Sequence, residues 1–388
     1  MYKFVLVIML FALLLRCSNS VTINHKDEVI APNYQLNLSS QLNADEELIA
    51  YKLDTFFTHL NSSATFNGSI LVARQGKIIF KKSFGVSNKN SNSLLNDSSM
   101  FQLASVSKVI TATAVLMLHE KGLLTLNKPF KFYFPDFPYP NVTIKQLLNH
   151  RSGLPNYLYI LDTLIRQPNY KMSNQDMYNH FVTKNPKPYL QPDTRFHYCN
   201  TNYALLAILI EKISKKSYAQ FLHDELFLPL GMRNTATISD IDLNGKNVTT
   251  PYNFKWNQIA FDASDFVLGD KSIYSTPKDL FLFSEALYQN KIISAKTQQL
   301  AYTPYSLEKK LSNYGFGWRL KCVNDSLKKE VFHNGWWHGY RSSFHRRLND
   351  HLTVIILSNQ LNRSAYKTYK VYQIVDNRPV EDTLDYAE

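Results

Sequence analysis

A single stretch, beginning at Ser105, constrains the fold of this chain more than any other. The residues that follow are predicted to form a helix, because apolar side chains such as Ala112 and Val115 recur at a period near 3.6 residues. The helix is long and almost uncharged, and it carries Lys108 one turn after Ser105 on the same face. Burying a lysine there costs free energy unless the lysine has a partner or a function.

The Ser105–Lys108 pair has the chemistry of an activated serine nucleophile. A hydroxyl at a helix start lies beside free backbone N–H groups and the positive end of the helix dipole, which stabilise negative charge. A lysine amine can accept the serine proton once burial lowers its pKa from about 10.4. Four other serines also precede a lysine by three residues: Ser275, Ser306, Ser326 and Ser364. Those four are better interpreted as helix caps or surface pairs, so the spacing is informative only in context.

Composition indicates a folded protein with a basic surface. The chain has 388 residues, of which 45% are hydrophobic and 13% aromatic, enough for a sizeable core. Its formal net charge is +12, without a Lys/Arg block or a nucleic-acid-binding motif. We therefore expect no nucleic-acid partner, and a surface that favours an anionic envelope polymer.

The first 17 residues have the layout of a signal peptide. Lys3 precedes the apolar run Phe4–Leu15, which is too short to span a membrane comfortably. The sequence Leu-Leu-Leu-Arg-Cys resembles a bacterial lipoprotein signal, in which Cys17 would be lipidated. Arg16 departs from the small residue usual before that cysteine, so a plain secretory signal remains an alternative. The predicted location is the bacterial cell envelope, either periplasmic or anchored to the membrane through this lipid.

The remainder of the chain is predicted to hold one catalytic domain over residues 44–375. A polar tether over 18–43 precedes it, and a short tail over 376–388 follows. Cys199 and Cys322 are the only cysteines after Cys17, too few for a disulfide framework in a chain of this size. We expect both to be small buried hydrophobic side chains.

The predicted fold class is α/β (α+β), with an antiparallel sheet flanked by helices and built from both chain ends. Strand signals include a hairpin about Gln75-Gly76 and a meander from Tyr314 to Leu357. Residues from about 125 to 265 show helical patterns and proline-rich connectors instead, and predict a mostly helical inserted lobe. The site should lie between the sheet body and this lobe.

A second candidate group, Tyr198 with Asn200, stands just before the predicted helix that begins at Tyr203. On an extended segment these two side chains would point the same way. A phenol can act as a general base where a neighbouring lysine stabilises the phenolate. Taken alone, a buried tyrosine followed by a capping asparagine is the commoner explanation.

A third candidate region surrounds His333, where glycines and tryptophans interrupt a strand-rich stretch. Gly335 would let a ligand approach an edge strand closely, and His333 would project into a cleft. His338 follows five residues later, but no carboxylate or third histidine stands at ligand spacing. Zinc is therefore not predicted, and no metal or organic cofactor is expected.

Three motifs thus follow one another along the chain: Ser105-x-x-Lys108, Tyr198-x-Asn200 and His333-x-Gly335. In this order they resemble the motifs of the serine β-lactamase and penicillin-binding-protein superfamily. The motif order and the tyrosine of the second motif resemble the branch that contains class C β-lactamases, D,D-carboxypeptidases and esterases. The resemblance extends from about residue 45 to about 375 and includes Leu147–Pro155 and Gly269–Pro277. It agrees with the separate prediction of a split α/β body and implies a β-lactamase/transpeptidase-like fold.

The resemblance implies a role for each motif residue. Ser105 would be the nucleophile that becomes acylated. Lys108 and Tyr198 would share the proton transfers, and because the two groups are coupled the proton is not assigned to either one alone. Asn200 would orient Lys108 and bind an amide on the acyl side of the substrate.

The third motif would form the far wall of the site. His333 would stand where other members carry the lysine of Lys-Thr-Gly. The oxyanion hole would be the backbone N–H groups of Ser105 and Trp336, so the strand edge near Gly335 should matter as much as the side chains.

The substitutions in the third motif bear on the substrate. His333 is mostly neutral near pH 7 and binds a carboxylate less reliably than lysine does. Asn334 replaces a threonine, and Trp336 and Trp337 add aromatic walls. These changes favour a less anionic acyl or leaving group and hence an esterase or amidase, although Arg341 could restore a carboxylate contact.

The predicted function is a cell-envelope serine hydrolase that acts through a Ser105 acyl-enzyme on an ester or amide, in a small-molecule or peptide substrate. One alternative is a D,D-peptidase that acts on peptidoglycan peptides. Another is a penicillin-binding-type sensor that does not turn over. All motif residues are present, which argues against an inactive site, and the oligomeric state stays open.

Overall fold

The structure is a computed structural model that describes residues 34–36, 38–306, 312–321 and 329–380. The chain divides into two units, Met1–Pro32 and Asn33–Glu388, and the described residues belong to the second. The predicted signal sequence with Cys17 lies outside the described residues, as does Cys322.

A seven-stranded antiparallel sheet forms the body of the domain. In spatial order its strands are β2 (Lys77–Phe84), β1 (Gly68–Arg74), β12 (Leu352–Ser358), β11 (Tyr340–Arg347), β10 (Glu330–Trp337), β9 (Arg319–Lys321) and β8 (Ser312–Tyr314). The first and last strands in sequence, β1 and β12, pair with each other inside this sheet. The prediction of an antiparallel sheet built from both chain ends is therefore confirmed.

Helices cover both faces of the sheet. On one face, α1 (Ala44–Ser62) and α12 (Thr368–Val375) share a core with Val354 and Ile356 of β12. On the other face, Ile355 of β12 joins the larger core. Successive side chains of a strand point to opposite faces, so β12 is buried on both sides and has a continuous apolar sequence.

The middle of the chain supplies the predicted helical lobe. Its helices are α3 (Phe130–Tyr133), α4 (Ile144–Leu148), α5 (Tyr157–Ile160), α6 (Asp162–Ile165), α7 (Asn174–Lys184), α8 (Asn200–Ser214) and α9 (Tyr218–Leu222). Helix α8 packs against α4 and α7, and against α2 (Ser107–Glu120), the helix that follows Ser105. Two further helices, α10 (Pro277–Tyr288) and α11 (Ala295–Ala301), come after the lobe.

Short strands depart from the prediction in two places. Within the lobe, β6 (Ala236–Thr237) pairs with β7 (Ile273–Ser275), which also pairs with β5 (Phe101–Gln102) to form a three-stranded sheet. After Gly85, where no strand was predicted, the chain forms the small pair β3 (Val86–Asn88) and β4 (Ser93–Leu94). Strands of two or three residues are too short to show a period in the sequence.

Helix α2 runs through the interior, and every residue from Ser107 to Leu118 is buried. This explains why its sequence is apolar on all sides rather than along one stripe. The helix starts at Ser107 and not at Ser105, because Ala104–Val106 form a 3₁₀ turn. None of the helices in the described ranges combines the length and the apolarity that crossing a membrane requires.

Candidate active site

Ser105 lies in the 3₁₀ turn that joins β5 to α2. The preceding residue, Ala104, has a left-handed backbone conformation with φ of +48°, which costs a non-glycine residue about 1 kcal/mol or more. Ala104 and Val106 are buried, whereas Ser105 is half-buried. The turn therefore presents the Ser105 hydroxyl at the start of α2, where free backbone N–H groups favour negative charge.

Lys108 is fully buried in the first turn of α2 and reaches back to the serine. Its Nζ atom donates a hydrogen bond to Ser105 Oγ at 3.1 Å and to the backbone oxygen of Asp270 at 2.7 Å. Burial lowers the pKa of Lys108 to about 8. About a tenth of the amine is then neutral at pH 7 and able to accept a proton.

Tyr198 contacts the same hydroxyl from the opposite side. Its phenol donates a hydrogen bond to Ser105 Oγ at 2.8 Å. The tyrosine comes from the extended segment before α8, and His150 supports that segment. The His150 ring lies 4.3 Å from the Tyr198 ring between centroids, and His150 Nδ1 accepts the backbone N–H of Cys199 at 3.2 Å. Ser105, Lys108 and Tyr198 are thus brought together as one cluster.

Asn200 is the first residue of α8, so the predicted loop ends there and not at Tyr203. The intervening Cys199 is extended, with φ of −144° and ψ of 120°, as the Tyr198-x-Asn200 interpretation requires. The Oδ1 atom of Asn200 is buried and has no hydrogen-bond partner among the described residues. The expected hydrogen bond from Lys108 to Asn200 is therefore not formed, and Asp270 supplies that acceptor instead.

His333 is buried in the wall of the site rather than exposed in a cleft. Its Nε2 atom lies 3.1 Å from the Tyr314 hydroxyl, and its Nδ1 atom lies 2.7 Å from the backbone oxygen of Asn334. Burial, together with the nearby charge of Arg319, holds the pKa of His333 well below its ordinary value. The imidazole is neutral at pH 7, and both of its nitrogens are already engaged.

The strand that carries His333 continues further than predicted. Strand β10 runs to Trp337, because its pairing with β11 continues through Gly335 opposite Ser342. A Cβ atom at Gly335 would lie 2.3 Å from the backbone oxygen of Leu103. Only glycine fits, and the strand edge therefore contacts the segment just before the nucleophile.

The Trp336 indole lies at the surface. The Trp336 side chain is 62% exposed, and the Arg341 guanidinium stacks on its ring at 4.9 Å. Arg341 also donates to the Tyr366 hydroxyl at 3.5 Å. Trp336 can contribute its backbone to the site more directly than its indole.

Arg319 is the cation that the sequence analysis missed. It begins β9, and its guanidinium lies 5.7 Å from the centre of the Tyr198 ring. The Nε atom of Arg319 is buried without a hydrogen-bond partner among the described residues. Its charge contributes to the lowered pKa of Lys108, of His150 and of His333. A positive charge therefore faces the site although His333 is neutral.

A buried ion pair supports Lys108 from behind. The carboxylate of Asp270 lies 3.3 Å from Lys271 Nζ, and both side chains are almost fully buried. Tyr157 donates to Asp270 at 3.1 Å and accepts from Lys271. The fixed carboxylate keeps the backbone oxygen of Asp270 in place for Lys108.

One cluster in the described part of the chain could hold a metal ion. Asp262, Asp265 and His338 offer atoms that lie within 4.8 Å of one another. The two carboxylates could not be associated with His338 from the sequence, because they are more than seventy positions away from it along the chain. The chain meets there through the contact of the β10–β11 turn with the 3₁₀ turn Ala263–Phe266.

Three residues near the Tyr198 ring were not predicted from the sequence: His150, Tyr314 and Arg319. His150 lies in the passage Leu147–Pro155 that resembles the family, and that resemblance was the one available signal for it. Tyr314 and Arg319 follow no recognisable spacing.

Comparisons with known proteins agree with this geometry. The family model described as Beta-lactamase matches residues 53–376 of the chain. This chain belongs to the β-lactamase family. Members of the family are serine hydrolases, which accounts for a serine hydroxyl held between a lysine and a tyrosine.

Two curated bacterial relatives illustrate the range of the family. The chain is 34% identical to Penicillin-binding protein 4* of Bacillus subtilis over 334 residues, covering 81% of this chain and 73% of that protein. It is 25% identical to the teichoic acid D-alanine hydrolase of Staphylococcus aureus, covering 82% of this chain and 77% of that protein. It spans as little as 38% of the length of other bacterial relatives.

The fold matches solved structures over most of its length. A class C β-lactamase aligns with a TM-score of 0.73 at 18% identity, covering 90% of this chain and 100% of that one. The β-lactamase/transpeptidase-like fold implied by the three motifs is therefore confirmed.

Proposed function

We propose that this protein is an exported hydrolase of the bacterial cell envelope that cleaves an ester or amide through an acyl-enzyme on Ser105. One observation carries the proposal. Ser105 Oγ is within hydrogen-bond distance of two proton-transfer groups, Lys108 Nζ at 3.1 Å and Tyr198 OH at 2.8 Å. This arrangement is the one a weak serine nucleophile needs.

Acylation begins with removal of the serine proton. The neutral form of Lys108, or Tyr198 acting with it, accepts the Ser105 proton as the oxygen attacks the substrate carbonyl carbon. The C–O bond of the acyl-enzyme forms, the bond to the leaving group breaks, and the leaving group takes up a proton relayed by the same pair. Because the two groups share one hydroxyl, the proton belongs to the cluster.

The oxyanion of each tetrahedral intermediate is stabilised by backbone donors at Ser105 and Trp336. The close contact of Gly335 with Leu103 supports this assignment, since it holds the strand edge beside the nucleophile. Hydrolysis then follows when Lys108 or Tyr198 removes a proton from a water that attacks the acyl carbon. Losing one oxyanion donor costs about 10² to 10³ in rate.

Two groups recognise the substrate. The buried Oδ1 atom of Asn200 has no partner among the residues that the structure describes, and it accepts an N–H group from the acyl side of the substrate. Arg319 supplies positive charge near Tyr198, which suits an anionic group on the substrate or on the polymer that carries it. The net charge of +12 supports the same choice of an anionic envelope polymer.

The Arg319 side chain also supports a second candidate, a D,D-peptidase acting on peptidoglycan peptides. The terminal carboxylate of such a peptide would pair with Arg319, because His333 is neutral and cannot. The similarity to a penicillin-binding protein supports this candidate, and the similarity to a teichoic acid D-alanine hydrolase supports the first.

The same proposal places the domain over residues 44–375, after a signal sequence over 1–17 and a tether over 18–43. Cys17 would carry the lipid anchor. A mature-protein mass without a diacylglycerol increment would contradict the anchor and leave a plain secretory signal.

Hydrolysis assays test the reaction class. Protein lacking residues 1–20 would be given a p-nitrophenyl ester, a D-alanyl ester of a polyol phosphate and a peptide ending in D-Ala-D-Ala. We expect turnover of the esters that is abolished by Ser105→Ala. Ser364→Ala is the matched control, since Ser364 also precedes a lysine by three residues.

Each outcome separates the candidates. Cleavage of the peptide alone, dependent on Ser105, would replace the esterase assignment with the D,D-peptidase. A penicillin adduct that persists without turnover of any substrate would favour the sensor alternative. Activity that survives Ser105→Ala would contradict the proposal as a whole.

A further inference from the structure

His338 occupies the tight turn between β10 and β11. The turn consists of His338 and Gly339, and His338 has a left-handed backbone conformation with φ of +47°. Such a conformation is strained for histidine and persists only where surrounding contacts enforce it. The two-residue connection between β10 and β11 itself favours a positive φ at its first position, and the His338 side chain makes further contacts.

Two carboxylates face the two nitrogens of this imidazole. His338 Nε2 lies 3.4 Å from Asp262 Oδ2, and His338 Nδ1 lies 3.4 Å from Asp265 Oδ2. The other contacts of the carboxylates fix them in place. Asp262 Oδ1 accepts from the backbone N–H of Ser264 at 2.8 Å, and Asp265 Oδ2 accepts from the backbone N–H of Asp262 at 2.7 Å.

Trp337, the residue before the turn, also contacts one of these carboxylates. Trp337 Nε1 donates to Asp265 Oδ1 at 2.7 Å, and Gln102 of β5 donates to that oxygen at 3.4 Å. Two positions before Trp337, Gly335 packs against Leu103 next to the nucleophile. The position of the β10–β11 turn therefore determines where the Trp336 backbone lies relative to Ser105.

We propose that His338, as an imidazolium held between Asp262 and Asp265, is a positioning residue that fixes the Trp336 end of β10 for the acylation and hydrolysis steps. This inference rests on the proposed function. It concerns a residue that does not touch the substrate and acts through the strand edge. The position of the oxyanion hole would then depend on the charge of His338, which lies outside the Ser105 cluster.

The geometry favours a cation clamp over a metal site. A single metal ion can bind only one nitrogen of an imidazole, whereas here each nitrogen faces a different carboxylate. Both ring nitrogens of an imidazolium are donors, which matches two acceptors on opposite edges of the ring. Burial raises the pKa of Asp265, and Lys271 stands nearby with its Nζ 4.8 Å from the centre of the Trp337 ring.

The charges around His338 set the direction of its pH dependence. Burial and the charge of Lys271 oppose the imidazolium, but the hydrogen bond to Asp262 and the charges of both carboxylates prevail and raise the pKa of His338 above its ordinary value. Contact with His338 lowers the pKa of Asp262 to about 2 despite burial, so Asp262 stays ionised. The clamp is lost as the pH rises through the raised pKa of His338. It also weakens as the pH falls through the pKa of Asp265, which burial raises.

Two substitutions at position 338 test the role. His338→Lys retains a cation at all working pH values, and His338→Gln removes the charge at all of them. The ratio of wild-type to His338→Lys kcat for the p-nitrophenyl ester cancels the contribution of Lys108. We expect this ratio to fall about tenfold between pH 5.5 and pH 9.5. The kcat of His338→Gln should be about tenfold below that of His338→Lys at every pH, and about tenfold below that of wild type only at pH 5.5, with KM unchanged.

His351→Gln is a matched control. His351 also lies in a tight turn of the sheet, between β11 and β12, with φ of +52°, and its Nε2 pairs with Glu285 at 2.9 Å. That turn is at the other end of β11 from His338 and from the strand edge beside Ser105. We expect His351→Gln to keep the wild-type kcat and its pH profile.

A second readout does not depend on turnover. The Trp337 and His338 rings lie 4.7 Å apart between centroids, and a protonated imidazole quenches indole emission. The fluorescence of wild type minus that of His338→Gln should titrate with a midpoint above the ordinary histidine pKa of about 6.5. A midpoint at or below that value would overturn the clamp.

The outcomes separate this inference from the proposed function. Loss of Ser105-dependent turnover in wild type would end the proposed function. Intact turnover with a kcat ratio that is flat in pH, or with His338→Gln as active as wild type at pH 5.5, would overturn the positioning role alone. One equivalent of zinc that is retained after dialysis by wild type and lost in His338→Gln would replace the clamp with a metal site.

Discussion

The two sides of the site use their residues in different ways. On the α2 side, the side chains of Ser105, Lys108 and Tyr198 converge on one oxygen atom. On the β10 side, the His333 ring is buried and engaged, the Trp336 indole faces solvent, and the strand backbone approaches the nucleophile. The α2 side supplies reacting side chains, and the β10 side supplies a backbone edge of fixed position.

This difference changes what a motif means. Ser105-x-x-Lys108 identifies two reacting groups, since a helix turn places positions three apart on one face. His333-x-Gly335 identifies a strand position at which a side chain cannot be tolerated. On the β10 side, the largest losses of turnover should therefore follow from substitutions that add side-chain atoms. On the α2 side, they should follow from substitutions that remove a functional group.

Lys108→Met should give the largest loss of turnover. It should change turnover and the stability of the folded protein in opposite directions. We expect turnover to fall by about 10⁴ because one of the two proton-transfer groups beside Ser105 is lost. The folded protein should become more stable, by up to about 3 kcal/mol, because a buried amine with a pKa near 8 is replaced by an apolar side chain. Urea denaturation at pH 7 measures the second effect.

The control is Lys121→Met at the end of the same helix, where the amine is exposed and paired with Glu225. It should change turnover less than twofold. A Lys108→Met protein that keeps a tenth of its activity would show that the amine is not the acceptor.

Gly335→Ala tests the β10 side. The added Cβ would lie 2.1 Å from Ser342 Oγ and 2.3 Å from the backbone oxygen of Leu103, so the strand edge must move. We expect kcat to fall by about 10² to 10³, the cost of one misplaced oxyanion donor, and by more than in His333→Gln. Steady-state kinetics of both variants provide the comparison.

Gly122→Ala controls for the loss of a glycine as such, because its φ of +71° is strained for alanine but its Cβ would meet open space. It should lower the melting temperature slightly and leave kcat unchanged. If His333→Gln lowers kcat more than Gly335→Ala does, the β10 side contributes a functional side chain, and the proposed difference between the two sides of the site is wrong.

Arg319→Gln should have a smaller effect that depends on the substrate. For a substrate that carries a carboxylate or phosphate near the scissile bond, we expect KM to rise about tenfold. For a neutral p-nitrophenyl ester, KM should change little. An equal change for both substrates would mean that the Arg319 charge acts on the catalytic groups rather than on the substrate.

Much of this contrast was predictable from the sequence and part was not. The Ser105 cluster follows from a local spacing together with the resemblance of its tyrosine motif to one family. The sheet built from both chain ends follows from strand patterns at either end. These features depend on short segments whose residues are close in sequence.

The missing parts depend on contacts between distant segments. Arg319 reaches Tyr198 only because β9 packs beside the site, and Asp262 meets His338 only through the β10–β11 turn. The predicted interruption of the strand near His333 was wrong. Glycine weakens a strand pattern in the sequence, but pairing with β11 carries β10 through Gly335. No spacing rule encodes such contacts.

The pH dependence of stability gives the last prediction. The folded-state pKa of Lys108 is depressed to about 8, so between about pH 8 and its unfolded pKa of about 10.4 the unfolded chain binds more protons at this site. The contribution of Lys108 to the free energy of unfolding should therefore rise with pH over that interval. Urea titrations at pH 7.5, 8.5 and 9.5 should show this slope in wild type, and a smaller one in Lys108→Met.

Intact-mass spectrometry after treatment with a fluorophosphonate tests the central claim most directly. Protein lacking residues 1–20 would be labelled at several pH values beside the Ser105→Ala and Tyr198→Phe variants. We predict one adduct per chain, located on Ser105 by peptide mapping, with a labelling rate that rises with pH through about 8 as Lys108 loses its proton. Folded protein that takes up no adduct, or takes it up equally in Ser105→Ala, would contradict the account.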